Sequence, residues 1–256
     1  MFSNFSYLAI KTIIFHEIKD FFMEFQFNII APMINTILFI FIISTINRYY
    51  SFSVTENSYI NFFVPGMIII VVFQTSFNHL SEVIISMKQN GSFNDYLIAP
   101  ISRAEIFFSF LFSSIFVCLI VAFLNLFALS FFTHFENINY ILFVYYIILC
   151  TVIFSSIGAL TGFLSFTWDV KSTVSNFFIL PISFFSGTFF SINAIDENLK
   201  FIFKYNPFYY LVKGFRNSFY NDIEINLYHE FYVLLIVFFI LSFTILIFKK
   251  GYKVIS

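Results

Sequence analysis

The stretch Pro181 to Arg216, PISFFSGTFFSINAIDENLKFIFKYNPFYYLVKGFR, decides how this chain folds. It leaves a long apolar segment, turns at the pair Ser186-Gly187, and returns to apolar territory without an uninterrupted run long enough to cross a membrane again. The connection that contains most of it, residues 188–230, is 43 residues long and rich in Phe and Tyr. It is too apolar for a solvated loop, and Pro207, Gly214 and its charges break it too often for an ordinary span. Such a segment is predicted to dip into the membrane interface as a short helical hairpin.

Outward from that stretch, the chain reads as membrane helix. It has 256 residues, 60% hydrophobic and 11% charged, where a soluble domain carries about 25% charged residues. The charges cluster between apolar runs, because a charge at the bilayer centre costs about 2.5–3.5 kcal/mol or more. The net charge of −1 says nothing about nucleic acid, and no nucleic-acid partner is expected. The 45 Phe and 15 Tyr accompany abundant Ile and Asn, the signature of a coding bias rather than of an aromatic channel. Cys118 and Cys150 stand alone within apolar runs, without metal-type spacing, and read as packing residues. The N-terminus lacks an apolar stretch followed by a small-residue cleavage site, so the first span is expected to be retained.

Six segments reach the length needed to cross the hydrocarbon core: 27–46, 62–80, 106–132, 140–163, 174–190 and 231–248. Six spans place both termini on one side. That side would hold eight basic residues, Lys11, Lys19, Lys88, Arg103, Lys171, Lys249, Lys250 and Lys253, against five opposite, Arg48, Lys200, Lys204, Lys213 and Arg216. The excess predicts cytoplasmic termini, and the turn 133–139, with no Lys or Arg, reads as an outside loop.

Before the first span, Ile14, Phe15, Ile18, Phe21, Phe22 and Phe25 share one side of a helical wheel, and His16, Glu17, Lys19, Asp20 and Glu24 the other. Residues 1–26 therefore read as an interfacial helix on the cytoplasmic leaflet. In the loop 86–105, Asn90-Gly91 is a turn, Ser92 to Ile98 can form a short helix ended by Pro100, and Ser102 with Glu105 forms a capping box for the next span. A short helix at that tip can receive force from a soluble partner; a plain solvated turn fits the composition as well.

Catalytic chemistry is not encoded. The seven glycines are scattered and form no phosphate loop. His79, at the cytoplasmic end of the second span and read as an interfacial residue, is the lone Asp, Glu, Arg or His in the spans, which argues against a proton relay. His16, His79, His134 and His229 are solitary, and neither a nucleophile with a base nor a His-Glu-x-x-His set is present. Energy for transport would have to come from a separate ATPase on the cytoplasmic face.

The ordered set of segments, the N-terminal amphipathic helix, FFVPGMIII at 62–70, NDYLIAPISRAEI at 94–106, SGTFF at 186–190 and NPFYYLVKGFRNSFY at 206–220, resembles the transmembrane subunit of bacterial ABC-2 type exporters over nearly the whole chain. The resemblance implies an all-α integral membrane protein of six spans with a connecting helix (1–26), a transmembrane domain (27–251), and a re-entrant external hairpin (192–220). It implies a permease, not an enzyme, in the bacterial inner membrane. It would export an amphipathic, lipid-linked, polysaccharide or drug-like compound as a homodimer with two copies of an ATP-binding subunit. ATP and Mg would be bound by that subunit and no cofactor by this chain.

By the same resemblance Asn94, Asp95, Tyr96, Leu97, Ile98, Ala99, Pro100 and Arg103 form a coupling helix, with Asp95 and Arg103 as polar contacts, and Lys19 joins them. Gly187, Asn206, Pro207 and Arg216 belong to the external gate, with Asn206-Pro207 at the hairpin turn and Arg216 near the headgroups. The family often carries a proline after its SGTFF-type motif, and SINAIDENL lacks one. Gln74, Asn78, Asn176 and Ser183, polar groups inside apolar spans, fit either substrate contact or hydrogen bonds to neighbouring helices. Gly158 and Gly162, four apart, permit close helix approach. A non-transporting membrane scaffold of the same fold, or an ion-coupled carrier, are the alternative readings.

Overall fold

The computed structural model of the chain describes residues 7–50, 56–133, 135, 138–189, 196–220 and 226–250. Residues 1–6, His134, 190–195 at the start of the predicted hairpin and Lys253 lie outside this set, as do the side chains of Arg48 and Leu97. Among the described residues the structure is helical, without strands. The helices are α1 (Tyr7–Met23), α2 (Ala31–Tyr50), α3 (Glu56–Gln89), α4 (Phe93–Ile98), α5 (Arg103–Leu129), α6 (Tyr140–Leu164), α7 (Trp168–Val174), α8 (Leu180–Phe185), α9 (Lys200–Lys204), α10 (Pro207–Asn217) and α11 (Leu227–Lys250).

Five helical segments are long and apolar enough to cross a membrane: Gln26–Ile46, Ile60–Gln89, Arg103–Leu129, Tyr140–Leu164 and Leu227–Lys250. The predicted stretch 174–190 takes another form. Helix runs from α7 through a π turn, Ser175–Ile179, into α8, and stops at Ser186. A second π turn, Gln26–Ile30, leads into α2. Each π turn ends two residues before a proline, Pro32 or Pro181. Proline has no N–H and its ring crowds the carbonyl four residues back; a locally widened turn absorbs that misfit without ending the helix.

The core is the pairing of α3 with α6, the most extensive helix contact in the molecule. Two glycines bring these helices together. A Cβ on Gly158 would lie 2.4 Å from the Phe77 carbonyl oxygen, and one on Gly162 would lie 2.9 Å from the Ile84 side chain. The Gly158/Gly162 spacing thus serves packing within the chain. Phe73 stacks on Phe154 at 4.1 Å, and Ser155 Oγ donates to the Ser76 carbonyl at 3.2 Å. On the flank, buried Thr36 donates to Asn125 Oδ1 at 2.9 Å, joining α2 to α5.

One end of the bundle gathers α1, α4, the start of α5 and the last turns of α3, α6 and α11. Lys88 on α3 donates to the carbonyls of Gly162, Phe163 and Ser165 at 2.9, 2.5 and 3.2 Å, where α6 ends. A cation there answers the unpaired carbonyls and the negative end of the helix dipole. Gln89 bridges Phe166 O and Trp168 Nε1 at 2.9 and 2.8 Å, and Lys171 pairs with Glu82, so α3 also holds the start of α7. Arg103 Nη1 donates to the Lys249 carbonyl at 2.9 Å. The predicted capping box is formed: Ser102 Oγ accepts from Glu105 N and Glu105 Oε2 from Ser102 N.

The opposite end gathers α9, α10 and the starts of α3, α6 and α11. The chain turns at Gly187, whose φ of 74° suits glycine. A Cβ on Gly66 of α3 would lie 2.6 Å from the Thr188 carbonyl oxygen, so that turn sits directly on α3. Asn139 N donates to the Ser218 carbonyl at 2.7 Å, joining α10 to α6. Tyr146 and Tyr145 of α6 both donate to Glu230 of α11.

Candidate functional site

α4 begins after the turn at Asn90-Gly91, where Gly91 has φ 75°. Its anchor is Phe93, 3% exposed, edge-on to Phe163 and Phe248 at 6.5 and 6.3 Å. Tyr96, half-buried, packs edge-on against Phe110 at 6.0 Å. Asn94, Asp95, Ile98 and Pro100 are left exposed, Ile98 at 83%. One face of α4 is therefore fixed to the bundle and the other presents an amide, a carboxylate and a large aliphatic group. Ala99 caps the helix in extended conformation with its N–H on the Asp95 carbonyl, and Pro100 follows. Leu97 lies within α4. Arg103 is exposed but already engaged with the end of α11, and Lys19 is exposed on α1.

α1 departs from the predicted wheel. It lies along α5, burying Ile13, Glu17 and Phe21, while Phe15, Phe22 and Phe25 of the apolar face remain exposed. The docking stripe straddles the border of the two predicted faces. This leaves a separate apolar face for lipid and carries a carboxylate, Glu17, into the interior at 4% exposed. Burial, with Asp20 beside it, raises the Glu17 pKa to about 7. Tyr96, close to both acids, is likewise shifted upward, burial being the larger cause.

Between α1, the last turns of α3 and α4 opens a cleft of about 890 Å³. It is lined by Glu17, Asp20, Glu24 and Glu82, by Phe21, Tyr96 and Trp168, and by His79. The expectation of an interfacial His79 is corrected: the imidazole is 6% exposed, bonds Ser114 Oγ at 2.8 Å, and lies 5.8 Å from the Phe21 ring. The helix α3 continues to Gln89, well past residue 80, and carries His79 inside the bundle. Among the described residues no cluster of His, Cys, Asp and Glu could hold a metal ion.

The four predicted path residues differ in setting. Ser183 is buried and returns its hydroxyl to the Ile179 carbonyl of its own helix; Asn176 is exposed; Gln74 and Asn78 are half-buried on α3. At the far end Asn206 caps α10 through Phe208 N and donates to the Phe185 carbonyl at 2.9 Å, with Pro207 in the first turn. This joins the short helices α9 and α10 at the predicted turn. Arg216 turns inward rather than toward headgroups: it is 6% exposed, lies over the Phe62 ring at 3.6 Å, and donates to the Thr188 carbonyl at 2.7 Å. Gly187 is buried in the turn that this bond secures.

Sequence reasoning missed Phe93, the buried side of Glu17 and the three-carbonyl role of Lys88. The first two had a signal: Ile13, Glu17 and Phe21 follow one another at four-residue spacing, and Phe93 opens the helix whose tip was judged by its polar residues. Lys88 had none, since its partners are carbonyls more than seventy residues away.

A bundle of apolar helices with outward apolar faces and one polar, helix-bearing end defines a multi-pass membrane protein. The chain belongs to the ABC-2 type transporter family, whose profile matches residues 9–220. It is similar to the inner membrane transport permease YadH of Escherichia coli strain K12, 25% identical over 241 residues, covering 93% of this chain and 92% of that relative. The proteins of the same name in Escherichia coli O157:H7 and Shigella flexneri match to the same extent.

Proposed function

We propose that this chain is the membrane subunit of an inner-membrane exporter driven by a separate ATP-binding protein, and that α4 is where that protein docks. The observation that carries the reading is the two-sided construction of α4: Phe93 holds it to the ends of α6 and α11, while Asn94, Asp95 and Ile98 are presented outward. ATP and Mg²⁺ belong to the partner in this reading, because the chain has no phosphate loop. The α4 end is cytoplasmic, supported by Lys11, Lys19, Lys88, Arg103, Lys171, Lys249 and Lys250 gathered there.

The chain crosses six times in this reading. The stretch 168–185 starts beside Gln89 at one end of α3, and the turn just after it, at Thr188, sits on Gly66 in the other half of α3; its 18 residues span about 27 Å, close to a hydrocarbon core of about 30 Å. α9 and α10 then form the external re-entrant hairpin. Two copies of the chain pair through the apolar faces that α2 and α11 leave uncovered, and two ATPases bind below. Substrate passes between the copies as ATP closure pushes on α4. Asp95→Lys reverses the exposed charge of α4 without touching the core. It is expected to lower ATPase stimulation on reconstitution by at least tenfold while the variant inserts and melts normally; undiminished stimulation would sink the assignment.

A further inference from the structure

The cleft between α1, α3 and α4 is open to the surface, and its charged lining has one sign. Its volume of about 890 Å³ falls in the range of ligand sites. Four carboxylates line it and no Lys or Arg does. Two already have partners: Glu82 pairs with Lys171, and Asp20 meets His16 Nδ1 at 3.1 Å. Glu17 is different. It is more than nine-tenths buried, its carboxylate accepts no hydrogen bond among the described residues, and His16 Nδ1 lies 3.9 Å from it. Glu24 stands one turn beyond Asp20 on the same cleft. The walls are the aromatic faces of Phe21, Tyr96 and Trp168. A buried carboxylate without a bonded counter-ion, on a cleft that aromatic rings also line, is complementary to a cation carried on an apolar body.

We infer that this cleft binds an organic cation, an amine or quaternary onium group with an apolar body, its charge against Glu17 and its body against Phe21, Tyr96 and Trp168. The site lies where the lipid-facing side of α1 meets the bundle, so an amphiphile would reach it from the inner leaflet without crossing the membrane first. The inference deepens the exporter reading and rests on it for the word substrate; binding itself does not require the ATPase. The same ammonium chemistry is offered by an exported compound and by an ethanolamine phospholipid.

The test uses the full chain in nanodiscs, with tetraphenylphosphonium as probe because its charge does not titrate. Saturable binding is expected with wild type, about tenfold weaker with Glu17→Gln, as loss of one close charge pair of moderate effective dielectric implies. The control Asp169→Asn, an exposed acid off the cleft, binds as wild type. Neutral triphenylphosphine oxide should bind equally weakly to wild type and Glu17→Gln. Binding should weaken from pH 8 to pH 6. The titratable groups that line the cleft with Glu17 are His16 and Asp20 on its own helix, Glu24 just past the end of that helix, His79 and Glu82 from α3, and Tyr96 from α4; Glu17→Gln isolates its share by flattening the profile. Equal affinity of wild type and folded Glu17→Gln, with a flat profile in both, would overturn the inference. Suppression of probe binding by phosphatidylethanolamine in place of phosphatidylglycerol identifies a lipid headgroup as the occupant; no suppression identifies an exported cation. If binding holds but assembly with the ATPase gives no probe-stimulated hydrolysis, the site stands and the exporter reading falls.

Discussion

A methyl group at Gly214 would sit 2.2 Å from the Tyr146 ring, whose hydroxyl is committed to Glu230. The ring cannot retreat without giving up that bond. Gly214→Ala should therefore destabilise by about 1–3 kcal/mol, the usual scale of overpacking, and lower the melting temperature in detergent. Glu17 makes the opposite prediction. Its pKa rises from 4.5 to about 7 on docking, so the docked form holds the proton more tightly than the free helix. α1 docking is then strongest below pH 4.5 and weakens as pH climbs through about 7. Glu17→Gln should remove this dependence and raise the melting temperature at pH 8, a gain that marks Glu17 as retained against stability. That a carboxylate goes inside was not readable from residue type, because acids at a helix border are ordinarily solvated.

At the scale of elements, α5 starts abruptly because Ser102 and Glu105 satisfy each other's backbone N–H. Ser102→Ala should cost about 1 kcal/mol and speed amide exchange at the first turn of α5. Lys88→Met should loosen the end of α6, read as faster exchange over residues 162–166, because three carbonyls lose their donor together. Helices Tyr140–Leu164 and Leu227–Lys250 stand where the apolar runs 140–163 and 231–248 lie, since hydropathy rises and falls with the helix itself. The end of α3 was not legible. It continues nine residues beyond the predicted end because helix geometry persists where the chain leaves lipid, while the apolar signal stops. The interruption at 175–179 was hidden for a different reason: proline marks a misfit, but whether the helix breaks or widens depends on its neighbours. The short helix α4 was visible from its turn and its proline, and its anchoring side was not, since Phe163 and Phe248 come from far along the chain.

For the whole molecule, the two ends answer different demands. The α4 end is stitched by charge-assisted bonds to carbonyls, from Lys88 and Arg103, and the far end by Arg216 and Glu230 acting on backbone and phenols. A pair of cysteines replacing Thr36 and Asn125, which touch in this state, should cross-link readily across α2 and α5. If α2 shifts against the bundle during the cycle, that cross-link stops transport while leaving ATP-binding protein bound; transport at the wild-type rate by the oxidised protein would show that the two helices move together.

The pairing of α3 with α6 has a mechanical meaning. α3 is 34 residues long, about 51 Å of continuous helix, with α4 attached near one tip and Gly66 seated under Thr188 toward the other. The half nearer α4 is keyed to α6 by Gly158, seated against Phe77, and by Gly162, seated against Ile84. Lys88 and Gln89 fasten that end to the end of α6 and the start of α7, so α3 and α6 tilt as one stiff body. A tilt of about 5° moves each tip by about 2 Å in opposite directions, on the rise of helix per residue. A shove at the α4 end would thus reach the turn at Gly187 as a pull, with no need for any residue in between to change its partners.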